Sequence, residues 1–179
     1  MHQSGKIIFL NGATSAGKTT IASLLQTRIE EPFLSLSIDH LRAAGVLPLL
    51  RFNTGEFKWQ EHREAFFKGF HLSLKSYAEA GNNLIVEHII ETKEWKDFLI
   101  NKLDGVDMFF VAVHCPLREL QRREEHRKDR PLGGAQKDLE TIHVLNTYDL
   151  ELDGTLPPDQ NVEHLIRSWN IRGASKFKN

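Results

Sequence analysis

Residues 12–19 read Gly12, Ala13, Thr14, Ser15, Ala16, Gly17, Lys18 and Thr19, a full G-x-x-x-x-G-K-[ST] pattern, followed by Thr20. These types at this spacing share one chemistry. Glycine lets the backbone curl so that successive N–H groups converge on an anion with no Cβ in the way. Lysine in the seventh place can reach the β- and γ-phosphates of a nucleotide, and the hydroxyl after it can coordinate Mg²⁺. A helix opening behind the loop adds the partial positive charge of its N-terminus. Residues 12–20 are therefore expected to hold ATP, with Thr19 on the metal; no base-reading motif distinguishes ATP from GTP.

Such a loop identifies the phosphoryl donor but not the acceptor. Transfer to a hydroxyl needs a carboxylate that orients the acceptor and takes its proton. In α/β proteins, function gathers at the C-terminal ends of parallel strands, and two acids stand at such ends, Asp39 and Glu87. Asp39 is the candidate base. Its structural alternative is an N-cap for the helix that begins near His40. Glu87 could organise water around Mg²⁺, bind the acceptor, or serve as a polar strand end. His88 beside it reads as structural.

The segment from Arg118 to Arg130 carries six cations and four acids. Taken alone it predicts a solvated helix with Glu119–Arg123 and Glu124–Lys128 pairs at i,i+4. Yet Arg123, Arg127 and Arg130 share one face just ahead of Gly133-Gly134. A lid in that place would bring Arg127 and Arg130 over the transferring phosphoryl group, neutralising its charge and excluding water, with Arg123 on the nucleotide. The lid is expected to span residues 118–135.

The elements that must position these groups alternate between strand and helix, which predicts a parallel sheet covered on both faces. Strands are expected at 6–10, 33–38, 83–88, 108–113 and 148–152, from apolar runs of strand length. Helices are expected behind the phosphate loop and at 41–44, 59–80, 93–103, 116–129 and 136–145, with a last one entered through Pro157-Pro158. In the helix over 59–80, Phe66, Phe70, Leu74, Tyr77 and Ala78 form the predicted apolar side, and Gly81 a stop. The stretch 41–58 is partly apolar and lacks regular pattern, so it is the expected acceptor-specificity segment. The fold class is α/β: a three-layer phosphate-loop NTPase fold with about five parallel strands, in a single domain over 1–179.

Composition narrows the classes further. A formal net charge of -1 gives no reason to expect nucleic acid or an anionic membrane as partner. No apolar run approaches the ~20 residues of a membrane span, and the first, Ile7–Leu10, leads straight into the loop rather than forming a signal peptide. Cys115 is the single cysteine, so no disulfide can form within the chain, and the cytoplasm is the expected compartment. The nine histidines include no H-x-x-x-H or H-E-x-x-H pattern, which argues against a transition-metal site. Oligomeric state is left open.

The ordered set of motifs resembles the chloramphenicol phosphotransferase family of small phosphate-loop kinases over most of the chain. It comprises Leu10-Asn11-Gly12 with Ser15 to Thr19, Glu31-Pro32-Phe33-Leu34 leading to Ile38-Asp39-His40-Leu41, and Ala80-Gly81 before strand three. It continues in Arg123, Arg127, Asp129 and Arg130, then in His143 with Tyr148-Asp149-Leu150-Glu151-Leu152-Asp153. The resemblance implies an ATP-dependent kinase acting on a small molecule's hydroxyl, with Asp39 as base, on the fold of nucleotide and shikimate kinases. Two departures separate this chain from the drug kinase. Glu87-His88 stands where the family enzyme has paired acids, and 42–58 shows no match. The reaction class thus carries over better than the antibiotic. Two other readings share the loop: a toxin-like kinase of nucleotide sugars, and a non-enzymatic nucleotide-binding switch.

Overall fold

The computed structural model describes residues 4–126, 133–144 and 146–177. Five strands, β1 (Lys6–Asn11), β2 (Phe33–Ser37), β3 (Asn83–His88), β4 (Asp107–His114) and β5 (Leu150–Asp153), form one sheet in the order β2-β3-β1-β4-β5. Every pairing is parallel. The chain moves to one side of β1 for β2 and β3 and to the other for β4 and β5. That reversal opens a crevice beyond the C-terminal end of β1, where such folds bind ligands.

Alternation along the strands divides the core in two, because successive side chains point to opposite faces. Ile8, Leu10, Ile85, Val111 and Val113 pack with Ile21 and Leu25 of α1 (Lys18–Arg28) and with Val162, Leu165 and Trp169 of α8 (Pro158–Asn170). Ile7, Phe9, Leu84, Val86 and Phe110 pack on the other face with Phe70, Leu74 and Ala78 of α4 (Trp59–Glu79) and Leu99 of α5 (Lys93–Lys102). Both layers bury residues with no measurable exposure, so truncating one of them, such as Leu74→Ala, removes about 2–5 kcal/mol. Helices α6 (Leu117–His126) and α7 (Gly134–Thr141) lie with the first layer through Leu120 and Ala135.

Several boundaries differ from the sequence expectation. Strand two ends at Ser37, because the Ser37 hydroxyl accepts the His40 amide at 3.0 Å and starts α2 (Ile38–Ala43). The irregular stretch contains a short helix, α3 (Leu49–Asn53), bracketed by Gly45 and Gly55 in left-handed conformations with φ of 77° and 76°. On α4 the buried set is Phe67, Phe70, His71, Leu74 and Ala78. Tyr77 is exposed and Phe66 half-buried, since the packing face is rotated toward the side carrying Phe67 and His71. The expected helix over 136–145 begins two residues earlier and ends at Thr141, for a reason given by Glu124 below.

Candidate active site

The phosphate loop leaves β1 at Gly12 and becomes α1 at Lys18. A Cβ on Gly12 would stand 2.6 Å from the Val113 carbonyl oxygen, so this glycine is required by the contact with β4. Gly17 has φ 105°, a left-handed conformation that turns the chain into the helix. Lys18 Nζ donates to the carbonyls of Gly12 at 2.6 Å and Ala13 at 2.8 Å, which sets its ammonium across the loop. The Ser15 hydroxyl is buried with no partner among the described residues, an orphan that a phosphate oxygen would satisfy. The amides at the helix N-terminus, this orphan and the lysine together fit a nucleotide phosphate chain.

A cavity of about 450 Å³ joins this loop to the ends of β2 and β3. Thr14, Ser15, Gly17, Lys18, Thr19 and Thr20 line one end, with Arg123 and Gly154 above them. Gly12, Ala13 and Ala16 are buried beneath and do not face the cavity. Arg123 donates to Ser15 O at 3.3 Å and Gly154 O at 2.8 Å while its Nε meets Glu119 at 2.7 Å. It thereby ties α6 to the loop. Arg122 and Arg123 hold the Glu119 carboxyl down to about 2. Arg127 and Arg130 lie outside the described residues.

The opposite end carries Asp39, Arg42, Phe67, Glu87, His88 and Glu91. Strand register explains the convergence: Ser37 is level with Glu87, and Asn11 with His88. Asp39 is not the N-cap of α2, a role taken by Ser37; it sits exposed in the first turn and faces the cavity. Glu87 is 6% exposed and its Oε1 has no partner among the described residues. A buried acceptor without a partner is unfavourable by about 1–3 kcal/mol or more, a cost that a ligand's donor or cation at this oxygen would relieve.

His88 and His71 back this wall, their Nε2 atoms 2.9 Å apart. A hydrogen bond here needs one of these nitrogens to donate and the other to accept, and burial favours the neutral form of both rings. Burial pushes His71 down to about 4, and burial with the nearby His71, Lys18 and Arg63 charges drives His88 well below its ordinary range. Arg63 clasps Glu91 at 2.7 and 2.8 Å and stacks over Phe67 and Trp95.

Sequence reading missed several contributors. Glu91 lies just past the end of β3, Arg42 falls within 41–58 with nothing in the sequence to single it out from that segment, and Phe67 is one aromatic among many on α4. Glu124 is not on the exposed face of α6, and Lys128, its expected partner, lies outside the described residues. Its carboxylate is buried and accepts from Gly133 N at 3.2 Å and Ala135 N at 2.8 Å, capping α7 and setting where that helix begins. Asn11, fully buried, accepts from Ile90 N at 3.1 Å and donates to Tyr148 at 2.8 Å, tying β1 to the segment after Glu87. Among the described residues no cluster of three or more potential ligands could hold a metal by itself, and no helix is long and apolar enough to cross a membrane.

The sheet order, the loop and the crevice define a phosphate-loop kinase. Comparison narrows this class: residues 5–170 match the family described as chloramphenicol phosphotransferase-like protein, and the chain belongs to that family. A Mycobacterium tuberculosis protein named as an O-phosphotransferase, Rv2636, is 30% identical over 173 residues, covering 86% of this chain and 77% of the relative. Among solved structures, an unliganded sugar kinase from Janibacter sp. superposes with a TM-score of 0.70 at 19% identity, over 93% of this chain and 95% of that one. The M. tuberculosis APS kinase CysC, solved with AMPPNP and APS, gives 0.67 at 18% identity, over 93% and 98%. The fold is that of the nucleotide and shikimate kinases, and the chain is a small-molecule phosphotransferase that uses a nucleotide.

Proposed function

We propose that this protein transfers the γ-phosphoryl group of ATP to a hydroxyl of a small molecule, in the cytoplasm and with Mg²⁺. The observation that carries this reading is the single cavity shared by Lys18, Asp39 and Glu87. Lys18 and the loop amides bind the β- and γ-phosphates of the substrate ATP. Thr19 is the residue that would hold Mg²⁺, with Glu87 on its water shell or on the acceptor. The ion would neutralise charge on the phosphates. Asp39, exposed at that cavity, orients the acceptor hydroxyl and takes its proton as the new P–O bond forms. Arg123 spans the loop and Gly154, which supports a role in enclosing the nucleotide. Arg127 and Arg130 are the cations proposed to close over the transfer.

Residues 41–58 are proposed to select the acceptor, with Arg42 on the cavity wall as their nearest contribution. Mg²⁺-ATP-dependent ADP release across hydroxylated acceptors tests the reading, with chloramphenicol, nucleosides, hydroxy acids and nucleotide sugars in the panel. Release stimulated by one acceptor and lost in Asp39→Asn supports it. ATP binding with no stimulation by any acceptor counts against it.

A further inference from the structure

One peptide unit of the phosphate loop is gripped from both edges. The Ala13–Thr14 peptide presents its carbonyl oxygen to Lys18 Nζ at 2.8 Å and its N–H to Asp138 Oδ2 at 2.9 Å. The carbonyl and N–H of a trans peptide point in opposite directions, so the ammonium and the carboxylate face each other across one plane. Asp138 lies 124 residues further along the chain, on α7.

The carboxylate is delivered by a fixed element. At its start α7 is capped by Glu124 through Gly133 N and Ala135 N. At its end Ile142 is fully buried, and its carbonyl accepts from Asn146 at 2.7 Å and Asn11 at 3.4 Å. Within the loop, the Ala13 carbonyl also closes a turn with Ala16 N at 3.2 Å, and the middle of that turn holds Ser15 at φ 67°. A non-glycine residue in this conformation needs its neighbours to hold it. A carboxylate on the N–H polarises the peptide and raises the electron density on the carbonyl that receives the ammonium.

We propose that Asp138 is a positioning residue for phosphoryl transfer: by holding Thr14 N–H it fixes the Ala13–Thr14 peptide, whose carbonyl keeps the Lys18 ammonium aimed across the loop. This rests on the kinase reading of the loop. Asp138 acts on the nucleotide through Lys18 and does not touch it. A carboxylate that merely crowded the phosphates would have the opposite effect on affinity.

Calorimetric titration of Mg²⁺-AMPPNP tests the link in wild type, Asp138→Ala, Lys18→Met and the double variant, with thermal midpoints to establish folding. Asp138→Ala should weaken binding about tenfold, the scale of a hydrogen bond to a charged group. In the Lys18→Met background the same substitution should change affinity less than about twofold. Asp138→Asn keeps an acceptor oxygen without the charge and should lose about two- to threefold, again only when Lys18 is present. It carries the test alone if the alanine variant does not fold. Equal losses in both backgrounds would make Asp138 a local fold contact, and tighter binding would make it a repulsive one; either overturns the proposal. AMPPNP that fails to bind folded wild-type protein would sink the kinase reading and this proposal together. Binding that is unchanged in Asp138→Ala would sink this proposal alone.

Discussion

The two ends of the cavity are built from different materials. The nucleotide end consists largely of backbone: loop amides, the Gly12 and Ala13 carbonyls that hold Lys18, and the Gly154 carbonyl that holds Arg123. The end proposed for the acceptor consists of side chains from separate segments, with Asp39 on α2, Phe67 on α4, and Glu87 and Glu91 at and just after β3. Backbone geometry is set by a few glycines and a helix start, and it recognises what all nucleotides share. Side chains can be exchanged without moving the chain, so the acceptor end can change its ligand while the chemistry at the other end stays the same.

If that contrast holds, damage at the two ends should separate kinetically. The largest effect is expected for Asp39→Asn, which should lower kcat by roughly 10²–10⁴ while AMPPNP affinity stays within about twofold. A comparable loss of AMPPNP binding would show that the two ends are not separable. Glu87→Gln should come next. The amide keeps the shape but weakens the acceptor oxygen, so the acceptor KM should rise about 10- to 100-fold with the ATP KM unchanged, if the orphan oxygen meets the acceptor. A rise in Mg²⁺ requirement with an unchanged acceptor KM would move Glu87 to the metal shell.

Acid should destabilise the fold through two imidazoles drawn out of solvent, His71 against His88 and His143 against Tyr148. His71 and His143 are each pushed down to about 4 by burial, so between pH 6.5 and 4 the unfolded chain binds protons that the folded one does not. Stability is therefore full above about pH 6.5 and falls as the pH drops toward 4, by up to about 2 kcal/mol at pH 5 for the buried His71 and by less for the half-buried His143. Urea midpoints measured across that range check the sign, and His143→Gln should flatten part of the slope. The smallest effect is expected at Leu50 on α3, which is 76% exposed. Leu50→Ser should leave stability within about 0.5 kcal/mol and ATP affinity unchanged, while acceptor selectivity shifts if 41–58 selects the acceptor. Unchanged selectivity across the panel would remove this face of α3 from that role.

Much of the architecture was legible because its causes are local. The loop pattern, the apolar runs Ile7–Leu10 and Met108–Val113, and the strand after Pro32 each need only a few neighbouring residues to declare themselves. Asp39 was legible for the same reason, as the acid following an apolar run, although its expected capping role passed to Ser37 two residues earlier. Tyr77 was misplaced because helical spacing defines a stripe but not the angle at which that stripe meets a sheet. The helical spacing of Arg123, Arg127 and Arg130 could be read from the chain, and Arg123 does reach the loop.

The strand–loop–helix unit and the alternating order of elements follow from the chain alone, since the partners there lie within a turn or a strand of one another. Lys18 finds its carbonyls five and six residues back. Long-range packing brings Asp138 to Thr14 across 124 residues, sets Glu124 as the cap of α7 and pairs His71 with His88. It also decided that Glu87 would be buried with an oxygen left over, because the register of β2 against β3 fixes what surrounds that carboxylate. The physical reason is one of range. Backbone conformation follows from adjacent residues, whereas the convergence of side chains follows from sheet register and helix rotation, which the packed core fixes only when the whole chain is assembled.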